Sequence, residues 1–193
     1  MILAGDGRRK TGAVKRQEVN QKLSYLGECI ALKNSYFDHL KLIDDWAVFG
    51  SLDWQDNSFT FDTAYSEWKR QEDFKWLMWV LCARHDIKQR RLAICHKSEF
   101  GESKRGHIHF LIAQQSIPLT PSQLAASLTN IWRLKGKGFA DIVPFDSTRH
   151  LRGIDYQSKV ESDESGHPLF SNDVFSPALQ RRFRANAGLI QLV

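Results

Sequence analysis

The sequence is poor in cysteine and has no long apolar run. Its 193 residues include three cysteines, Cys29, Cys82 and Cys95, and no C-x-x-C pair. Neither a zinc cluster nor a disulfide framework is therefore indicated, and we expect a reducing, intracellular compartment. No apolar stretch reaches the roughly 18 to 20 residues of a membrane span. The first residues lack the apolar core and cleavage site of a signal peptide, so we expect neither membrane insertion nor secretion.

A nucleotide-binding loop of the form G-x-x-x-x-G-K-[ST] is also missing from this sequence. These residues therefore do not encode an ATP-driven helicase that depends on such a loop. The composition is that of a globular protein, with 42% hydrophobic and 25% charged residues. The formal net charge of +5 and the pI of about 9.2 favour a polyanionic partner such as nucleic acid.

The pattern of apolar and charged residues predicts three regions. Residues 1–17 form a basic flexible arm, residues 18–45 a helical N-terminal extension, and residues 46–193 one domain with a C-terminal extension. Strands and helices of the domain follow the order β, α, β, β, α, β, α. We predict an α+β fold with a central antiparallel sheet flanked by helices. The predicted strands cover 46–54, 90–99, 106–115 and 139–148, and the predicted helices cover 64–85, 120–136 and 149–162, with a short helix near the C-terminus.

The predicted strand GHIHFLIA, residues 106–113, carries two histidines one residue apart. Side chains alternate between the faces of a strand, so His107 and His109 share one face while Ile108 and Phe110 lie on the other. Two neutral imidazoles on one face can bind a divalent ion together with a carboxylate. The alternative is a pair of polar side chains on a solvent-facing strand.

Glu99 ends the preceding strand, and a hairpin would bring it back beside the histidines. Two histidines and one carboxylate leave coordination positions open, as a catalytic metal site requires. This mixed set of nitrogen and oxygen ligands suits Mn²⁺ and tolerates Mg²⁺. Glu102 and His96 are rival third ligands, although Glu102 falls in the turn and His96 would face away from Glu99 on a regular strand.

The stretch RGIDYQSKVE places Tyr156 and Lys159 three residues apart, on one face of a helix. A tyrosine phenol can attack a phosphodiester and form a covalent phosphotyrosine link when a metal polarises the scissile phosphate. A lysine one turn away can stabilise charge at the phosphate or position the tyrosine. The Y-x-x-K pattern is common by chance, and a partly buried helix tyrosine is the alternative. The pattern is informative because it follows the carboxylate and the two histidines in the chain.

This order resembles the HUH endonuclease domain of rolling-circle replication initiator (Rep) proteins of plasmids, phages and single-stranded DNA viruses. The resemblance covers residues 46–162. GHIHFLIA is similar to the second motif of the family, and GIDYQSK to the third, with Tyr156 in the place of the single nucleophile and Lys159 in that of the accompanying lysine. AVFGSLD is similar to the first motif, with Ser51 where threonine is common.

The resemblance implies an RRM-like sandwich fold and a metal-dependent, site-specific nickase and ligase for single-stranded DNA. Glu99, His107 and His109 would hold Mn²⁺ or Mg²⁺, and Tyr156 would become joined to the 5′ phosphate while the free 3′ hydroxyl primes rolling-circle replication. The implied partners are single-stranded DNA or an origin hairpin, with a host helicase and polymerase. The implied compartment is the cytoplasm of a bacterial or archaeal host, or the nucleus for a eukaryotic virus. The candidate DNA-binding residues are Lys104, Arg105, Lys135, Lys137, Arg149 and Arg152.

Three other functions fit part of the pattern. An origin-binding module with a Rep-like fold but no cleavage activity would need the basic charge without the full set of site residues. A single-tyrosine HUH transposase would share the chemistry and usually forms dimers. A mononuclear iron oxygenase would use two histidines and a carboxylate and would need neither the tyrosine nor the basic surface.

Single-stranded bases can stack on exposed aromatic rings, but the helix positions of four tryptophans favour burial in the core: Trp68, Trp76, Trp79 and Trp132.

Overall fold

The computed structural model describes residues 38, 40–54, 64–100, 106–136, 138–149, 161–162, 168–169 and 176–190. Its main strands are β1 (Trp46–Asp53), β2 (Ile94–Phe100), β3 (Gly106–Ala113) and β4 (Ala140–Pro144). Two short strands, β5 (Glu161–Ser162) and β6 (Pro168–Leu169), pair with each other. The helices are α1 (Ala64–Arg84), α2 (Pro121–Lys135) and α3 (Pro177–Ile190), with a 3₁₀ turn at Gln89–Arg91.

The four main strands form one antiparallel sheet in the order β2, β3, β1, β4. Helix α1 connects β1 to β2, and α2 connects β3 to β4, so β3 lies between the two strands that α1 joins. This is the split β-α-β arrangement, in which each helix crosses over a neighbouring strand. The predicted class, an α+β fold with an antiparallel sheet and helices packed on it, is confirmed. The predicted hairpin between β2 and β3 is also present, and it makes β3 a central strand.

Helices α1 and α2 pack on one face of the sheet. The core on this face combines residues of both helices with every second residue of β3, namely Ile108, Phe110 and Ile112. The start of α2 follows the prediction, because Thr120 and Gln123 form a reciprocal capping box. The helix ends at Gly136, whose φ of 65° is left-handed. Glycine adopts that conformation without the steric cost that a side chain adds.

Helix α1 occupies the predicted residues but turns a different side to the core. Periodicity favoured a buried stripe through Trp68 and Trp79, and both are exposed. The buried stripe instead runs through residues such as Phe74, Leu77 and Leu81. The large apolar surface of the tryptophans dominated the sequence pattern, while Arg70 and Asp73, which that pattern counts as polar, lie inside. The structure corrects this part of the prediction.

The second face of the sheet is covered in part by α3 and by residues 40–45. Leu179 and Leu40 pack there against Leu111 of β3 and its neighbours. The Arg182 guanidinium of α3 forms an ion pair with Asp45, 2.5 Å apart. These contacts cover the part of β3 near Ala113. The packed cluster does not include His107 or His109 at the other end of the strand. No helix in the described part of the chain is both long and apolar enough to cross a membrane.

Several predicted segments lie outside the described residues. They include the basic arm, most of the N-terminal extension, and most of the predicted helix 149–162, which contains Tyr156 and Lys159. At the end of that last segment, Glu161 and Ser162 are described as strand β5, so the helix prediction is wrong for these two residues. A two-residue strand carries too little periodicity to be recognised from sequence. The predicted C-terminal helix is present as α3.

Candidate metal centre

His107 and His109 lie side by side on the sheet face opposite α1 and α2. The alternation along β3 sends Ile108 and Phe110 into the core beneath the helices, and therefore directs both imidazoles to the other face. Both histidines are half-buried. Their ring centroids are 4.8 Å apart and their planes meet at 84°. The structure therefore brings the two predicted ligands together.

Each histidine has a cross-strand neighbour on both sides. Glu99 of β2 and Asp53 of β1 lie opposite His107. In an antiparallel sheet, directly opposed residues have Cβ atoms about 4.5 to 5.5 Å apart and share a face. The hairpin thus delivers the backbone of Glu99 to the side of His107 that the sequence predicted. Asp53 was not singled out from the sequence, because its position depends on the pairing of β1 with β3.

The ring separation of the histidine pair matches the spacing that a shared divalent ion requires, and it also matches an edge-to-face ring contact. An ion about 2.1 Å from one nitrogen of each ring, with those bonds near a right angle, would place the ring centroids roughly 4.5 to 5 Å apart, and the observed separation is 4.8 Å. Among the described side chains, no three His, Cys, Asp or Glu groups converge around one point. Asp53 and both histidines are among these described side chains, whereas the Glu99 side chain is not. Register places both carboxylates opposite His107, and Glu99 remains the third ligand that the sequence predicts.

The rival ligand His96 lies on the other face of the sheet. Its Nε2 is 2.7 Å from Oε1 of Gln71 in α1, and its ring lies 4.5 Å from the ring of Phe74. The side chain is buried in the core beneath the helices. His96 is thus a core histidine with a polar partner, as the alternation of β2 predicts. The other rival, Glu102, lies outside the described residues.

His109 lies between Lys97 of β2 and Ser51 of β1. The Lys97 side chain is fully buried. Ammonium groups are seldom buried, because removing the charge from water is costly unless polar or charged groups surround it. The ring of Phe49 is nearly parallel to that of His109, at 10°, with centroids 6.1 Å apart. Phe49 and Lys97 therefore border the candidate site on its more buried side. Sequence reasoning missed both, although Lys97 precedes Glu99 by two residues and so shares its face.

The structure describes two of the six candidate DNA-binding residues. Lys135 has its Nζ 2.6 Å from Oδ1 of Asp73 and 4.3 Å from the ring centroid of Trp76, and its side chain is only 16% exposed. These contacts hold Lys135 on the helix side of the sheet, away from the histidines. Arg149 follows β4, with its Nε 3.7 Å from Asp146 and 83% of its side chain exposed. The remaining four lie outside the described residues: Lys104, Arg105, Lys137 and Arg152.

Asp73, the partner of Lys135, is a buried carboxylate on the helix side. Burial by itself raises the pKa of Asp73. Hydrogen bonds from Lys135 and Trp54, together with the positive charges of Lys135 and Lys69, outweigh burial and hold the pKa below its usual value. Trp54 Nε1 donates to Oδ2 of Asp73 at 3.0 Å. The group stabilises the fold where α1, α2 and the end of β1 meet, and it is separated from the histidines by the sheet.

The imidazoles of His107 and His109 and the carboxylates of the residues opposite His107 are donor types that divalent ions accept. Tyr156 and Lys159, the predicted nucleophile and its companion, lie outside the described residues. The chemistry assigned to them therefore remains a prediction. Comparisons of this chain with protein-family models, with curated protein sequences and with solved structures found no match.

Proposed function

We propose that this protein is a metal-dependent HUH endonuclease, a single-tyrosine nickase and ligase for single-stranded DNA of the Rep type that initiates rolling-circle replication. The observation that carries the proposal is the histidine pair on the central strand β3, with the Glu99 backbone in register beside it. The split β-α-β sheet has both crossover helices on the face opposite the two half-buried histidines. The positive net charge of +5 adds a general attraction for DNA.

Glu99, His107 and His109 would hold Mn²⁺ or Mg²⁺, a donor set that these ions accept. When bound, the ion supplies Lewis-acid polarisation of the scissile phosphate. The two half-buried imidazoles hold their positions because Ile108 and Phe110 anchor the opposite face of the strand in the core. A site built on a central strand is more rigid than one built on a loop, which favours a fixed ligand geometry.

Tyr156 would act as the nucleophile. Its phenolic oxygen forms a bond to the phosphorus while the bond from phosphorus to the 3′ oxygen breaks, and the phenolic proton is transferred, directly or through solvent, to the leaving 3′ oxygen. The products are a 5′-phosphotyrosine link and a free 3′ hydroxyl, so no water is consumed and the reverse reaction religates the strand. Lys159 would stabilise charge at the phosphate. Tyr156 is twelve positions after Pro144, and twelve residues span about 18 Å even if they are helical.

The proposed partner is single-stranded DNA or an origin hairpin, with a host helicase supplying the unwinding and a host polymerase extending the 3′ hydroxyl. Such proteins act inside the cell, in the cytoplasm or, for a eukaryotic virus, in the nucleus. Arg149 is the described candidate with an exposed guanidinium. Phosphate contacts of this kind would make DNA binding strongly dependent on salt concentration.

The proposal is tested by nicking. The protein is incubated with a randomised pool of labelled single-stranded oligonucleotides and Mn²⁺, and the cleaved products are recovered and sequenced. We expect cleavage at a defined sequence, its loss with chelator, and its loss in His107→Ala and Tyr156→Phe. The matched controls are His85→Ala and Tyr65→Phe. Oligonucleotide binding without cleavage under any metal would instead indicate a non-cleaving origin-binding module.

A further inference from the structure

The outward side of α1 carries an unusual row of side chains. Trp68 and Trp79 are 55% and 59% exposed, whereas single exposed apolar residues on a soluble surface are usually smaller. Glu72 and Lys75 lie between them, with side chains 40% and 65% exposed. Nζ of Lys75 is 2.7 Å from Oε1 of Glu72. Successive members of this row are four, three and four residues apart, the spacing of a helix-pairing seam. We call these four residues the α1 stripe.

The α1 stripe is complementary to itself. Trp68 and Trp79 lie equally far from the point midway between Asp73 and Phe74, and so do Glu72 and Lys75. A second α1 helix placed antiparallel about a two-fold axis through that point would therefore set Trp68 against the partner's Trp79 and Glu72 against the partner's Lys75. A two-fold interface requires this kind of pairing, in which one patch meets its own copy. We infer that the protein forms a homodimer through antiparallel pairing of its α1 helices.

Apolar burial and charge pairing both favour a second copy of this chain on the α1 stripe. Tryptophan pairs in such contacts gain both from burial and from ring geometry, and the oppositely charged pair fixes the register. The four tryptophans alone would remove roughly 500 Å² from water. This is below the roughly 1,000 Å² of a specific interface, so flanking residues contribute the remainder and the dimer is of modest affinity.

Single-stranded DNA is the competing occupant, since exposed tryptophans also stack on bases. Two observations favour a second copy. Glu72 places a negative charge in the middle of the α1 stripe, where a DNA backbone would pass. The α1 stripe also lies on the helix side of the sheet, whereas His107 and His109 lie on the other face, so the two surfaces are separate. The dimer contact lies on the opposite side of the sheet from the histidines, and its existence does not depend on the proposed nuclease activity.

The test is a charge exchange followed by sedimentation equilibrium. The wild-type mass should rise with concentration from 22.3 kDa towards twice that value, with half dimerisation at roughly 1 to 100 µM. Glu72→Lys and Lys75→Glu should each weaken dimerisation at least tenfold, because like charges then oppose each other across the axis. An equimolar mixture of the two variants should restore it, since each supplies the charge that the other needs. Lys88→Glu, an exposed residue off the α1 stripe, is the control for net charge.

Circular dichroism verifies that each variant is folded. The inference is overturned if the wild type stays at 22.3 kDa up to about 200 µM, or if the two charge variants dimerise as the wild type does. It is also overturned if Trp79→Ala weakens binding of an oligo(dT) probe while leaving the mass of the protein unchanged, which would assign the α1 stripe to nucleic acid.

Discussion

Glu99 lies directly opposite His107 in the antiparallel pairing of β2 with β3. Asp53 lies opposite the same histidine from β1, so the two carboxylates offer a matched comparison. We expect Glu99→Gln to weaken Mn²⁺ binding by roughly 10- to 100-fold or more, and Asp53→Asn to change it less than about threefold. The measurement is a Mn²⁺ titration followed by electron paramagnetic resonance of the free ion. Equal losses in both variants would contradict the assignment of Glu99 as the third ligand.

The two imidazoles should act as one ligand pair. His107→Ala and His109→Ala should each reduce Mn²⁺ affinity by about 100-fold or more, because the loss of a ligand costs at least as much as the loss of a group that orients it. The matched control is His85→Ala, since His85 contacts Ser127 on the helix side of the sheet. Isothermal titration with Mn²⁺ measures all three. A variant of His85 that binds as weakly as the other two would show that the loss is not local.

Asp73 should make stability depend on pH. Asp73→Asn should lower the free energy of unfolding at pH 7 by about 2 to 4 kcal/mol, because it leaves buried partners without the carboxylate charge. The pKa of Asp73 is lower in the folded protein, so the stabilising contribution is present above the unfolded pKa, about 4, and is lost as the pH falls through the folded value.

Urea unfolding of the wild type and of Asp73→Asn, from pH 7 down to pH 3, checks this expectation. The difference in unfolding free energy between the two proteins should shrink below about pH 5. Asp44→Asn is the control, because the Asp44 side chain is 96% exposed and its 4.0 Å ion pair with Arg182 should contribute less than about 1 kcal/mol. A difference that stays constant down to pH 3 would contradict a carboxylate stabilised in its charged form.

Gly50 should resist substitution. It lies opposite Phe110 in the pairing of β1 with β3, and a Cβ at this position would overlap the Phe110 ring. Because Phe110 is fully buried, the ring has little room to move. We expect Gly50→Ala to lower the free energy of unfolding by about 1 to 3 kcal/mol, measured by urea unfolding. Ser51→Ala, the next residue on the opposite face, should change it by less than about 1 kcal/mol.

Much of the fold was accessible from sequence because its signals are local. The bounds of α2 follow from Thr120 as the N-cap, Pro121 at the first helical position and Gly136 at the end, and the hairpin of β2 with β3 depends on one short turn. The strand order was not accessible, since the pairing of β1 with β3 joins residues about sixty positions apart and has no sequence signal. The packing of α3 on the second face depends on the same long-range geometry.

In the candidate site, too, the local features were predictable from sequence and the features that depend on long-range packing were not. Alternation along one strand predicted that His107 and His109 share a face, and a hairpin predicted that Glu99 returns beside them. Lys135 was a candidate DNA-binding residue because it is basic and was expected near the site, whereas its ion pair with Asp73 depends on how α1 and α2 meet. The exposure of Trp68 and Trp79 was missed for a related reason. Apolar area was taken as a sign of burial, whereas α1 buries the side that carries Arg70 and Asp73.

The most direct test of the proposed nuclease is the identity of the residue joined to DNA. The wild-type protein is incubated with Mn²⁺ and a single-stranded substrate selected by the nicking assay, digested with protease, and analysed by mass spectrometry for nucleotide-bearing peptides. The account predicts a 5′-phosphotyrosine on the peptide that contains Tyr156, absent with chelator and absent in Tyr156→Phe. A nucleotide on another residue, or efficient nicking with no covalent peptide, would contradict it.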